Sequence, residues 1–256
     1  MNNKLTTLFQ NKNKNLLNVY CTAGFPKKES TAEVLLALQK SGVDMIEVGM
    51  PYSDPIADGP VIQDSNMVAL KNGMTIDLLF KQLKDAKKNI NVPIILMGYL
   101  NPVLQYGLEK FCKMASSVGV AGIILPDLPM HEYKHMYKKY FAENNLSFIF
   151  LVTPQTSIER IKKADSLSSG FLYVVSSNSI TGSSSNKDGQ NEYFKKLSSM
   201  KLKNPFMIGF GINSKETFKN ACEYASGAIV GSAFIKAIGN AKNIETATVS
   251  FVKTIR

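Results

Sequence analysis

At 256 residues, 45% of them hydrophobic, the chain is long enough for one large domain or two small ones with a full core. The net charge of +10 comes from lysines spread over many segments, and the only two arginines are Arg160 and Arg256, a pattern of solvated helix faces rather than a nucleic-acid-binding stripe. No run approaches ~18 apolar residues, the opening MNNKLTTLFQNKNKN lacks the apolar core of a signal peptide, and Cys21, Cys112 and Cys222 form no CxxC pair, so no membrane span, disulfide framework or thiolate zinc site is expected and a reducing, cytoplasmic setting fits best.

In chain order, Asn3–Phe9 is expected to form a short helix covering one end of the fold. Strand Leu16–Thr22 leads into helix Ser30–Ser41, which Ser30 caps and Gly42 ends. A second strand, Asp44–Gly49, precedes helices Pro60–Lys71 and Ile76–Asn89. Strand and helix then alternate through Val92–Tyr99, Glu109–Val118, Val120–Pro126, Met130–Asn144, Leu146–Thr153, Ser157–Leu167, Gly170–Ser176, Asn191–Ser199, Pro205–Gly209, Ser214–Tyr224, Ser226–Val230 and Ala233–Lys242, with Asn243–Ile255 as the last helix. Most strands are apolar nearly throughout, as in a parallel sheet covered on both faces. Some eight βα units without an interrupting linker predict an α/β fold of the (β/α)8 TIM-barrel type, with a short N-terminal helix and extra helices, residues 1–256 forming one domain. The turn Thr22-Ala23-Gly24-Phe25-Pro26 is not the GxGxxG turn of an open dinucleotide-binding sheet. The polar stretch SSNSITGSSSNKDG at residues 176–189 is read as a long functional loop after the sixth strand, not a domain boundary.

The candidate chemistry lies at the C-terminal ends of the strands, where barrels of this kind carry their sites. Glu47 is a carboxylate inside an apolar strand, and the stiff loop after it holds Asp54 and Asp58 between Pro51, Pro55 and Pro60. Burial raises the pKa of such a glutamate and suits it to proton transfer; the bland alternative is a buried acid paired with a lysine or solvated at the strand end. Gly209-Phe210-Gly211-Ile212 and Val230-Gly231-Ser232-Ala233 turn strands seven and eight into helices. Backbone N–H groups at such turns approach anions closely, so a phosphate-bearing substrate is expected. Other residues have two readings each. Asp54 caps a helix or holds the loop, Asp127 faces the site or ties down a loop, and Tyr99 and Asn101 face ligand or only solvent. Phe210 and Ile212 line a ring pocket or are simply core, and Tyr20 and Met97 point into the barrel, with core as the default, or over its mouth. His131-Glu132-Tyr133-Lys134-His135 matches the HExxH zinc-protease pattern. These are the only two histidines and the segment opens a lysine-rich helix, so a chance match on an exposed face is expected and no metal site is assigned.

The stretch EVGMPYSDPIADGPVIQ at Glu47–Gln63 resembles the signature of the tryptophan synthase alpha subunit family, and the likeness continues in YCTAGFP at Tyr20–Pro26, MGYLNPVLQYG at Met97–Gly107, LPDLP at Leu125–Pro129, ITG at Ile180–Gly182, GFGI at Gly209–Ile212 and VGSA at Val230–Ala233. The resemblance implies a lyase that cleaves indole-3-glycerol phosphate to indole and glyceraldehyde 3-phosphate in L-tryptophan biosynthesis. It implies Glu47 as the proton-transfer group and Asp58 as acceptor of the indole N–H. It further implies Tyr173 beside the glycerol chain, Gly182, Phe210, Gly211, Gly231 and Ser232 around the phosphate, Tyr20, Met97 and Ile212 around the indole, and Thr181 as a further substrate-binding residue. No metal or organic cofactor is implied in this subunit. Pyridoxal phosphate is expected only in a beta-subunit partner, in an alpha2-beta2 tetramer that meets the loop after strand two and the segment Asn101–Gly107. Where family members often carry Arg and Gly before the Val/Ile-Thr-Gly of the lid loop, this chain has Ser177-Asn178-Ser179.

Overall fold

The computed structural model describes residues 3–176 and 187–256. The strands are β1 (Leu16–Thr22), β2 (Met45–Gly49), β3 (Ile94–Met97), β4 (Val120–Ile124), β5 (Ser147–Phe148), β6 (Leu151–Val152), β7 (Leu172–Val175), β8 (Phe206–Gly209) and β9 (Gly227–Val230). All pair in parallel, in the order β5-β4-β3-β2-β1-β9-β8-β7-β6. The expected fifth strand, Leu146–Thr153, is divided between the two ends of that order. Its first half pairs with β4 and its second with β7. Ile149 N–H donates to Ile123 O at 3.0 Å and Tyr173 N–H to Phe150 O at 3.0 Å, so one chain segment bridges both edges and the sheet curls into a barrel.

The helices are α1 (Lys4–Asn11), α2 (Ser30–Lys40), α3 (Pro60–Lys71), α4 (Ile76–Ala86), α5 (Leu100–Tyr106), α6 (Leu108–Ser117), α7 (Met130–Glu132), α8 (Lys138–Glu143), α9 (Ile158–Leu167), α10 (Lys187–Ser199), α11 (Lys215–Tyr224), α12 (Ser232–Gly239) and α13 (Ile244–Ile255). Their boundaries follow local chemistry. Pro60 opens α3, where a missing N–H costs nothing. Thr75, Ser157, Ser214 and Asn243 each cap a helix through a side-chain oxygen. Helix α5 falls where only a connecting segment was expected. Pro102 lies within its first turn, which tolerates proline, and Gly107 ends it with φ +92°. The expected helix Met130–Asn144 is continuous but carries a π-turn over Tyr133–Tyr137 between α7 and α8.

Helix α1 closes the end of the barrel away from the strand C-termini. Asn3 caps it through a capping box and donates from Nδ2 to Ala121 O at 2.9 Å, Asn145 O at 2.9 Å and Ser147 Oγ at 3.1 Å. Leu5 is buried from this helix against the barrel floor. Beside it, Asp44 accepts from Leu17 N–H at 2.8 Å and pairs with Lys12 at 2.5 Å and Arg256 at 3.1 Å, joining the start of β2 to both chain ends.

Candidate active site

The strand register decides which side chains share the barrel interior. In the β1–β2 pair, Asn18 lies opposite Met45, Tyr20 opposite Glu47, and Thr22 opposite Gly49. Side chains alternate along a strand, so Asn18, Tyr20, Glu47 and Gly49 share one face. Gly49 has to be glycine there, because a Cβ would fall on the Tyr20 hydroxyl, and Gly209 stands in the same relation to the hydroxyl of Tyr173. Two tyrosines thereby lie across the ends of neighbouring strands and wall a cavity of about 420 Å³. Glu47, Asp58, Met97, Phe210, Gly211, Ile212, Gly231 and Ser232 also line it. Every candidate binding residue within the described regions therefore faces one space. Thr181 and Gly182, like the Ser177-Asn178-Ser179 departure and most of the 176–189 loop, lie outside the described residues.

Glu47 is fully buried, at 0% exposure. Its Oε2 accepts one hydrogen bond, from Asn18 Nδ2 at 3.1 Å, while Oε1 has no protein partner. Among the described residues no cation pairs with it, although Lys236 lines the same cavity, so the lysine-paired reading is not met there. Burial pushes the carboxyl up to about 8, opposed by the Asn18 hydrogen bond and helped by the nearby Asp58 charge. Asp58 is 8% exposed and is held by a turn in which its N–H donates to Pro55 O at 3.0 Å. Tyr99 donates to Asp58 Oδ2 at 3.0 Å and its oxygen accepts from Ala57 N–H at 3.0 Å. Burial lifts Asp58 to about 6, and the Tyr99 hydrogen bond limits the rise. The two acids therefore titrate apart. Near neutral pH Glu47 keeps its proton and Asp58 carries the charge, a division that suits one acid–base group and one anion.

Across the cavity the backbone bends sharply after β8. Phe210 and Gly211 both have positive φ, +69° and +73°. For phenylalanine that conformation is strained, the kind of cost that persists at functional turns. Ser176 Oγ donates to Phe210 O at 2.7 Å and fixes the bend, and the Phe210 ring meets Tyr173 edge-on at 6.3 Å. After β9, Gly231 precedes α12, and Phe234 and Ile235 N–H groups donate back to its carbonyl at 2.9 and 3.1 Å. Ser232 and Ala233 N–H have no intrahelical acceptor. They line the cavity wall, where the N–H groups and dipole of a helix N-terminus favour negative charge.

The residues with two readings divide. Tyr99 belongs to the site through Asp58. Asp127 ties down a loop, its carboxylate accepting from Leu100 N–H at 2.9 and 3.0 Å. Asp54 is exposed and pairs with Ser53, a loop role. His131 and His135 are exposed on the outer helix layer, ring centroids 4.6 Å apart, and neither lines the cavity. Asn18, Ile62 and Lys236 were not foreseen as site residues. A lone amide in an apolar strand, like the lone Glu47, was the available signal for Asn18.

The family model for the tryptophan synthase alpha chain matches residues 7–255. A tryptophan synthase alpha chain from Flavobacterium psychrophilum is 55% identical over 224 residues, 87% of this chain and 88% of that one. Another from Christiangramia forsetii is 50% identical over 255 residues, 99% of this chain and 98% of that one. Among solved structures, the alpha chain from Legionella pneumophila superposes with a TM-score of 0.89 at 32% identity, covering 100% of this chain and 96% of that one. Tryptophan synthase from M. tuberculosis, in its aminoacrylate-bound form, gives a TM-score of 0.86 at 29% identity with 100% of both chains covered. The chain belongs to the tryptophan synthase alpha chain family, the TIM-barrel lyase subunit that cleaves indole-3-glycerol phosphate in tryptophan biosynthesis.

Proposed function

We propose that Glu47 and Asp58 carry this reaction, with Glu47 moving both protons and Asp58 holding the indole nitrogen. The observation that supports it most is the pairing of a fully buried, cation-free Glu47 with Asp58 in one cavity that ends at the two glycine turns. Protonated Glu47 gives its proton to indole C3, and the ring becomes an indolenine with positive charge at nitrogen. Ionised Asp58 stabilises that charge. Glu47, now a carboxylate, takes the proton of the adjacent glycerol hydroxyl as the carbon–carbon bond breaks. Indole leaves, the aldehyde of glyceraldehyde 3-phosphate forms, and Glu47 is again protonated. The Phe210-Gly211 and Gly231 turns, with Ser232, seat the phosphate; Tyr20, Met97 and Ile212 enclose the ring, and Tyr173 walls the glycerol side.

The chain acts as a single domain in the cytoplasm and joins a beta subunit, which holds the pyridoxal phosphate, in an alpha2-beta2 tetramer. Two apolar side chains near the cavity mouth support the docking face: Ile56, 75% exposed in the loop after β2, and Leu104, 44% exposed on α5. The test is indole release from indole-3-glycerol phosphate, with and without a beta subunit. Wild type releases indole and Glu47→Gln is slower by about 10²–10⁴-fold. Equal rates in the two proteins exclude the role given to Glu47.

A further inference from the structure

Asn18 is a polar side chain with 0% exposure in the middle of β1, an otherwise apolar strand buried at every position. An unpaired buried amide is costly, so its place there calls for a partner. Its Nδ2 reaches Glu47 Oε2 at 3.1 Å, the one hydrogen bond to that carboxyl among the described residues. Among the described residues neither Asn18 Oδ1 nor Glu47 Oε1 has a protein partner. The amide contributes a single directed bond, and its acceptor is the Glu47 carboxyl.

We propose that Asn18 is a positioning residue: it holds Oε2 of Glu47 and leaves Oε1 as the oxygen that exchanges protons with the substrate. This rests on Glu47 being the acid–base group. When Glu47 gives its proton to indole C3, the carboxylate that remains has no cation to receive it. The Asn18 N–H is already in place and strengthens as the charge develops, because hydrogen bonds to ionised groups exceed those to neutral ones. It also fixes the carboxyl plane, so that one oxygen both donates and recovers a proton without a rotation between the steps. The titratable groups that share the cavity with Glu47 are Tyr20 on β1, Asp58 after β2, Tyr173 on β7 and Lys236 on α12, and the Cys21 thiol lies near it on the other face of β1. Lys236 makes no ion pair with Glu47, so among the described residues the Asn18 amide is the group that meets the carboxyl.

The experiment compares wild type, Asn18→Leu and Glu47→Gln in indole release across pH. Leucine keeps the branched four-atom shape of asparagine with two methyl groups in place of the amide O and NH2, and circular dichroism and Tm check that the variant folds. The expected result is a kcat lower by about 10–100-fold with KM within about twofold. The alkaline limb of the pH profile, set by deprotonation of Glu47, should move to higher pH, since the bond that favours the carboxylate is gone. A purely structural role would move stability and KM, not that limb. Asn18→Ser, which adds no bulk to the barrel, gives the same readout if leucine disturbs packing. Wild-type kcat and an unmoved alkaline limb in folded Asn18→Leu or Asn18→Ser overturn the positioning role while leaving Glu47 in place. Wild-type activity in Glu47→Gln overturns the underlying assignment instead.

Discussion

Asp44 and Glu47 lie three residues apart on one strand segment and face opposite ends of the barrel. At the α1 end, Asp44 is answered in full: a backbone N–H, a lysine and an arginine converge on it. At the other end, Glu47 has one neutral amide, an oxygen without a protein partner, and a second acid as its neighbour. The contrast is the general division of labour in this barrel type, where one face is built for stability and the other for chemistry. It shows how the site is held in place. The end stitched by Asn3 and Asp44 supports an end in which, among the described residues, neither Glu47 nor Asp58 pairs with a cation.

The contrast can be broken from either side. The largest effect is expected at the active end: Asp58→Asn removes the charge opposite the indole nitrogen and should lower kcat by about 10²-fold, measured as indole release, with the fold intact by circular dichroism. A substitution that kills activity at this end should also stabilise. Native Glu47 holds its proton to about pH 8, whereas the unfolded chain releases it near 4.5. Between those values the native state binds the extra proton, so stability falls as pH rises through that window. Glu47→Gln removes this penalty. Its unfolding free energy should exceed that of wild type, by little at pH 5 and by an amount on the order of a few kcal/mol at pH 8; a pH-independent difference contradicts the burial argument. The opposite end should behave in reverse. Asp44→Ala strips an acceptor from Leu17 and an ion partner from Lys12 and Arg256. Both cations are about a third exposed, so solvent screening holds the loss to about 1–2 kcal/mol in chemical denaturation, with kcat within twofold.

The pH dependence of catalysis sharpens the same comparison by a smaller effect. With Asp58 near 6 and Glu47 near 8, kcat/KM should rise with pH as Asp58 ionises and fall as Glu47 does. The substrate phosphate titrates near ~6 as well, so the acid limb is shared and the alkaline limb is the informative one.

Much of this was legible in the residues. Glu47 and Asp58 stand in a stretch whose prolines and glycines constrain the backbone, and the Gly211 and Gly231 turns announce themselves because a close approach to an anion demands such residues. Barrel class follows from the alternation of apolar runs with helical segments. What remained hidden depends on register. Strands that are apolar on both faces give no period to say which residues point inward. That Asn18 reaches Glu47, and that Tyr99 reaches Asp58 across 41 positions, emerges only once β1, β2 and β3 are laid side by side. Helix α5 was missed because seven residues containing Pro102 look like a connection. The division of Leu146–Thr153 into β5 and β6 was missed because nothing in SFIFLV marks the point where its partner changes from β4 to β7.

The central claim is that burial without a cation keeps Glu47 protonated in the resting enzyme while Asp58 is charged. Carboxyl-carbon NMR of the ¹³C-Glu-labelled protein, titrated through pH and assigned by the signal absent from Glu47→Gln, reads this directly. A midpoint near 8 for Glu47 is the predicted result. A midpoint near 4.5, the value of an ordinary glutamate, would contradict the account.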